Sequence, residues 1–65
     1  MDNTIKMQIL NQKLQLWENT IYSHTVDVEV AETIKDEQMK TNSMQRLTNA
    51  IKGRDAVKKL LAELE

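Results

Sequence analysis

The sequence predicts an all-α protein: an antiparallel two-helix hairpin that assembles into a four-helix or larger bundle. Three observations carry this. First, Met7, Leu10, Leu14, Trp17, Ile21, His24, Val28 and Ala31 follow one another at alternating spacings of three and four. That is the seam of a long helix packed along its length against another. Second, proline is absent and Gly53 is the only glycine, so the residues that tight turns and β-hairpins depend on are nearly missing. Third, if the chain folds back between residues 35 and 36, facing residues sum to 71. The seam then meets a matching line in the second half: Met7 with Leu64, Leu10 with Leu61, Leu14 with Val57, Trp17 with Arg54, Ile21 with Ala50, and His24 with Leu47.

The first helix is expected over residues 4–34. Asp2, Asn3 and Thr4 stand directly ahead of Ile5 as N-cap candidates, able to accept a hydrogen bond from an amide of the first turn. Beside the seam, Ile9, Leu16 and Val30 recur at multiples of seven, with Ser23 in the same file. They widen the apolar face beyond what one partner helix covers. The stretch SHTVDVEVAET, residues 23–33, is rich in Val and Thr, and Val26, Val28 and Val30 alternate as a strand would. A lone strand has nothing to pair with, and the seam passes through His24, Val28 and Ala31 in register. Continuous helix is therefore expected, with a kink near His24 as the competing outcome.

Lys35 and Asp36 form the expected turn. Asp36 is a good N-cap, and Glu37 puts negative charge at the positive end of the next helix dipole. The second helix is expected over residues 37–63. Gly53 lies inside it at a cost of about 1 kcal/mol relative to Ala and marks a place where the helix can bend. Each helix is then roughly 45 Å long at 1.5 Å per residue. Near the turn the pairing weakens, to Val28 with Ser43 and Ala31 with Lys40, with Met39 and Met44 available to cover.

Composition narrows the function classes. At 65 residues the chain is one domain, 1–65, near the lower limit for a core that holds unaided. With no cysteine, neither a disulfide nor a thiolate-bound metal can reinforce it, which leaves oligomerisation. Ile9, Leu16 and Val30 on the first helix, with Met44, Ile51 and Leu60 on the second, stay off the pairing line and are the expected interface of a homodimer or larger assembly. A net charge of -1 gives no overall pull toward nucleic acid or an anionic membrane. The start, MDNTIKMQIL, opens on an acid and lacks an uninterrupted apolar region, so it does not read as a signal peptide. No apolar run reaches transmembrane length. A cytoplasmic protein without membrane association is the expectation.

The order of a leucine-rich helix, then VAETIKDEQ at the turn, then a second helix ending in a Leu-rich charged tail resembles short helical-hairpin proteins encoded by bacterial viruses. The resemblance spans the whole chain and rests on pattern. It implies a small accessory protein that binds a partner, in the host cytoplasm, and it carries over no site residues.

Three groups of side chains invite functional readings. His24, with Asp27 one turn on, could ligate a metal or act as a pH switch at an oligomer axis, but one imidazole and one carboxylate make a poor site unless symmetry doubles them. A partly buried, hydrogen-bonded histidine is the preferred reading. Trp17 and Arg54 could clamp an anion or a base, so that a bundle would sequester a small anionic nucleotide between neighbouring hairpins. The preferred reading is structural, the guanidinium lying on the ring. Asn42, Gln45, Asn49, Lys52 and Lys59 share an outer face of the second helix, types suited to phosphate and sugar contacts on RNA. In size and architecture the hairpin is similar to small plasmid-encoded RNA-binding proteins that are dimers of helical hairpins, an analogy of fold alone. Lys59 also has Asp55 and Glu63 four residues away on either side, so part of this strip is salt-bridge decoration. The chain has no Gly-rich phosphate loop, no Cys and no second His. A non-enzymatic binding protein without a cofactor is expected, with a protein partner favoured over RNA or a nucleotide.

Overall fold

The structure, a computed structural model, describes residues 2–64. Two helices account for nearly all of them: α1, Asn3–Ile34, and α2, Glu37–Glu63. They fold back on each other through a two-residue turn into a rod of 49 × 15 × 14 Å. Its long axis matches the roughly 48 Å that a 32-residue helix spans at 1.5 Å per residue.

The ends of the helices are set by side chains the sequence singled out. Asp2 is the N-cap of α1, and its Oδ1 accepts from the Thr4 amide at 2.6 Å. At the turn, Lys35 adopts a left-handed conformation with φ 59°. Its amide donates to the Glu32 carbonyl at 3.2 Å, and the Asp36 amide donates to the Ala31 carbonyl at 2.9 Å. This pair of bonds is the Schellman closure of a helix C-terminus. Asp36 also opens α2, because its Oδ1 accepts from the Met39 amide at 3.0 Å. One residue thus ends the first helix with its backbone and starts the second with its side chain. That is why two residues suffice to reverse the chain.

Residues 23–33 are helical throughout. The threonines that favour a strand there are reconciled with the helix by bonding back to it. Thr25 Oγ1 donates to the Ile21 carbonyl at 2.8 Å, and Thr33 Oγ1 donates to the Glu29 carbonyl at 2.8 Å. Thr20, Thr41 and Thr48 do the same one turn back. The hydroxyl is satisfied locally, so it does not compete with the helical backbone.

Burial follows the sum-to-71 register. Leu10, Ala31, Ser43, Ala50 and Val57 are buried, and the other positions along the two facing lines are half-buried, except Met7 at the open end of the hairpin. The expected weakening near the turn is not found. Ala31 is 1% exposed and Ser43 4% exposed, because small side chains at the contact let two helix backbones come close. Met44, expected to cover that end, is exposed instead, and Met39 is half-buried. Among the described residues, no side-chain hydrogen bond or ion pair joins α1 to α2: each links residues at most four apart in sequence. Apolar packing and the turn hold the hairpin together.

Gly53 has a role that its position in a helix does not advertise. A Cβ built on it would lie 2.6–2.8 Å from the Cε2, Cζ2 and Cδ2 atoms of Trp17. The indole of α1 therefore rests directly on the backbone of α2. α2 continues as helix through this position.

Candidate functional site

Packing along one seam leaves the hairpin with two long sides, each carrying an open groove. One groove is lined by Asp27 of α1, by Asp36, and by α2 residues that include Met39, Asn42 and Arg46. The other is lined by Glu18, Ile21 and Tyr22 of α1 with Arg54 and Lys58 of α2. Side chains seven apart on a helix point the same way, so these linings assign the remaining residues to sides. Steps of seven take Met39 and Arg46 on to Gly53 and Leu60, on the Asp27 side. Steps of seven take Lys58 back to Ile51 and Met44, on the Glu18 side. On α1, steps back from Asp27 reach Thr20 and Lys13, which with Leu16 and Trp17 line a further hollow. The file of Leu16 contains Ile9, Ser23 and Val30.

The six residues expected to form one oligomer flank therefore divide. Ile9, Leu16, Val30 and Leu60 lie on the Asp27 side, and Met44 and Ile51 lie on the Glu18 side. Ile51 is half-buried, and the other five are exposed. The Asp27 side also carries Ile5 and Ile34, 51% and 60% exposed. Neither shares the seven-residue file of Ile9, Leu16 and Val30, so both fall outside the expected interface. Their signal was their offset of four from Ile9 and from Val30, which puts them on the same stripe.

Trp17 and Arg54 meet the seam at the same level but open onto opposite sides. Trp17 lines the hollow with Lys13, Leu16 and Thr20, its ring on Gly53. Arg54 lines the Glu18 groove, and its Nε donates to Asp55 Oδ1 at 3.1 Å. Indole and guanidinium thus line different hollows. The seat of the indole is Gly53, which sequence reading treated as a defect. It could have been found there: the bulkiest side chain of the seam faces the position next to the only residue without a side chain.

His24 is half-buried, and its Nδ1 lies 3.2 Å from Asp27 Oδ2. Among the described residues no three imidazole or carboxylate groups gather as a metal site. Gln45, Asn49, Lys52 and Lys59 are exposed on the outward face of α2, whereas Asn42 and Arg46, also exposed, line the Asp27-side groove. Gln45 and Asn49 line a shallow depression there with Thr41, Met44 and Thr48. No helix among the described residues is long and apolar enough to cross a membrane. Compared with models of protein families, with curated proteins and with solved structures, the chain matches none.

Proposed function

We propose that this chain is a small non-enzymatic accessory protein that self-associates through its apolar flank and acts by binding a protein partner. The observation that carries the reading is the apolar surface the hairpin leaves open. Among the described residues, ten large hydrophobic side chains are exposed, from Met7 at 39% to Tyr22 at 69%, and six of them, Ile5, Ile9, Leu16, Val30, Ile34 and Leu60, lie on the Asp27 side. The buried apolar set among the described residues is Leu10, Ala31, Ala50 and Val57. Exposed apolar side chains grouped along one side of a small protein mark an interaction surface. The resemblance to small helical-hairpin proteins of bacterial viruses supports an accessory role in a host cytoplasm.

The test has two parts. Light scattering across a concentration series should return a mass above that of one chain. Affinity capture from the source cell should recover one dominant protein, and that protein, purified, should bind the chain directly. A well-folded monomer at high concentration, or purified candidates that fail to bind, would overturn the reading.

A second reading is RNA binding by the outward face of α2, favoured by the common exposure of Gln45, Asn49, Lys52 and Lys59. It predicts RNA affinity that falls steeply with added salt and weakens further in Lys52→Glu and Lys59→Glu. Salt-insensitive or absent binding removes it. Sequestration of a nucleotide by Trp17 and Arg54 of neighbouring hairpins predicts instead a rise in melting temperature with nucleotide, through mass action.

A further inference from the structure

The apolar stripe on the Asp27 side of α1 has an internal symmetry. Ile5, Ile9, Leu16, Ser23, Val30 and Ile34 follow one another at steps of 4, 7, 7, 7 and 4 residues. The steps read the same in both directions, about a centre between Asn19 and Thr20. At 100° per residue all six fall within a window of about 60° on the face of α1 away from its seam. All six are exposed, five of them large and apolar, Leu16 and Ile34 at about 60%. A two-fold interface brings the same patch of both subunits together, so residue i meets j and j meets i. A stripe that reads the same both ways satisfies this condition when two copies run antiparallel.

We propose that two copies of the chain dimerise through α1 of each, antiparallel, about a two-fold axis at Asn19 and Thr20, giving a four-helix bundle with facing residues that sum to 39. Ile5 of one copy then meets Ile34 of the second, Ile9 meets Val30, and Leu16 meets Ser23, each contact occurring twice. Leu60 of α2, on the same side of the hairpin, extends the surface beside Ile9. Charge agrees with the register. Lys13 and Asp27 share one file of α1 and their numbers sum to 40, so each lysine comes alongside the aspartate of the second copy, again twice. The hollow lined by Lys13, Leu16, Trp17 and Thr20 lies against this axis and receives the small Ser23 of the second copy.

Charge argues for a second copy as the occupant: an antiparallel copy brings Lys13 and Asp27, which flank the stripe on one file, beside residues of opposite sign. The Glu18 side offers no comparable stripe. Its exposed large apolar residues are Tyr22 and Met44, set among Glu18, Glu29, Glu32, Glu37 and Lys58.

This inference rests on the self-association proposed above and adds the face, the orientation and the register. The chain contains no cysteine, so introduced thiols report without background. L16C and S23C copies, refolded together and oxidised, should form a disulfide-linked dimer containing one of each. L16C alone and S23C alone should stay unlinked, because like positions lie about 10 Å apart along the axis at 1.5 Å per residue. L16E with V30E should shift the chain to a monomer by light scattering, whereas Y22E, on the other side, should leave the dimer intact. A dimer that gives no mixed cross-link and survives L16E/V30E overturns the face and register while leaving self-association standing. A folded monomer in the parent chain overturns both.

Discussion

At the middle of the hairpin a glycine lies inside a helix, and at the turn a lysine takes the left-handed conformation that glycine adopts most readily. Gly53 has ordinary helical geometry and needs none of glycine's backbone freedom, while Lys35, at φ 59°, would profit from it. The difference lies in what each site needs from the side chain. At residue 53 the requirement is absence of volume, because the indole of Trp17 occupies the place of a Cβ. At residue 35 the requirement is a backbone angle, which a lysine reaches at a cost of roughly 1–2 kcal/mol. The Schellman bonds and the Asp36 cap offset that cost. Steric exclusion at a packed contact therefore decides where this chain uses its glycine, more strongly than backbone preference at a turn does.

Substitutions at the two sites sharpen this contrast. The largest effect is expected from Trp17→Ala. Truncating a fully buried aromatic ring costs about 3–5 kcal/mol. Trp17 is half-buried, which puts the loss at about 3 kcal/mol, still a large part of the stability of a domain this small. A thermal melt of the variant should show a much lower midpoint. If it melts like the parent, the ring contributes nothing to packing and the comparison fails.

Next comes Gly53→Ala. On an open helix surface this change stabilises by about 1 kcal/mol. Here a methyl group would meet a rigid ring at 2.6–2.8 Å, and overpacking of this kind costs about 1–3 kcal/mol. Denaturant titration should show destabilisation. The same substitution introduced into the Trp17→Ala chain should reverse sign and stabilise, because the ring that opposes it is gone. No such reversal would mean that the two residues do not act on each other.

Lys35→Gly should stabilise by about 1 kcal/mol, with the left-handed strain relieved and the Schellman bonds kept. Part of the gain is returned through the freer unfolded chain. A loss of stability would show that the lysine side chain holds the turn in some other way. The smallest change is expected from Arg54→Met, below about 1 kcal/mol in a thermal melt, because a long apolar stem keeps the packing beside the seam and the arginine's bond to Asp55 is exposed. A loss as large as that of Trp17→Ala would give Arg54 an equal share in holding the helices together.

Much of the architecture could be read directly from the residues. The three-and-four spacing from Met7 to Ala31 set the buried face of α1, since that spacing is the helix repeat itself. The cap chemistry of Asp36 located the start of α2, because orphan amides need an acceptor wherever the chain enters a helix. At the first helix Asp2, Asn3 and Thr4 stand as equal candidates for a start at residue 4, and the structure starts α1 at Asn3 on the Asp2 cap. The sum of 71 followed from the spacing and the Asp36 cap, and with it the facing positions of α2. What the sequence could not supply was the third dimension around the seam. Met44 and Leu60 stand 16 residues apart on α2, about 160° around the helix at 100° per residue, so the period of α2 alone already sets them on opposite flanks. Which residues of α1 each flank joins depends on how α2 is turned against α1, a relation that neither helix encodes alone. The same holds for Trp17 and Arg54, level along the axis yet opening onto different grooves, and for Gly53, whose lack of a side chain has meaning only once an indole is laid against it. Local pattern determines which residues a helix buries; only packing in three dimensions decides what each one is buried against.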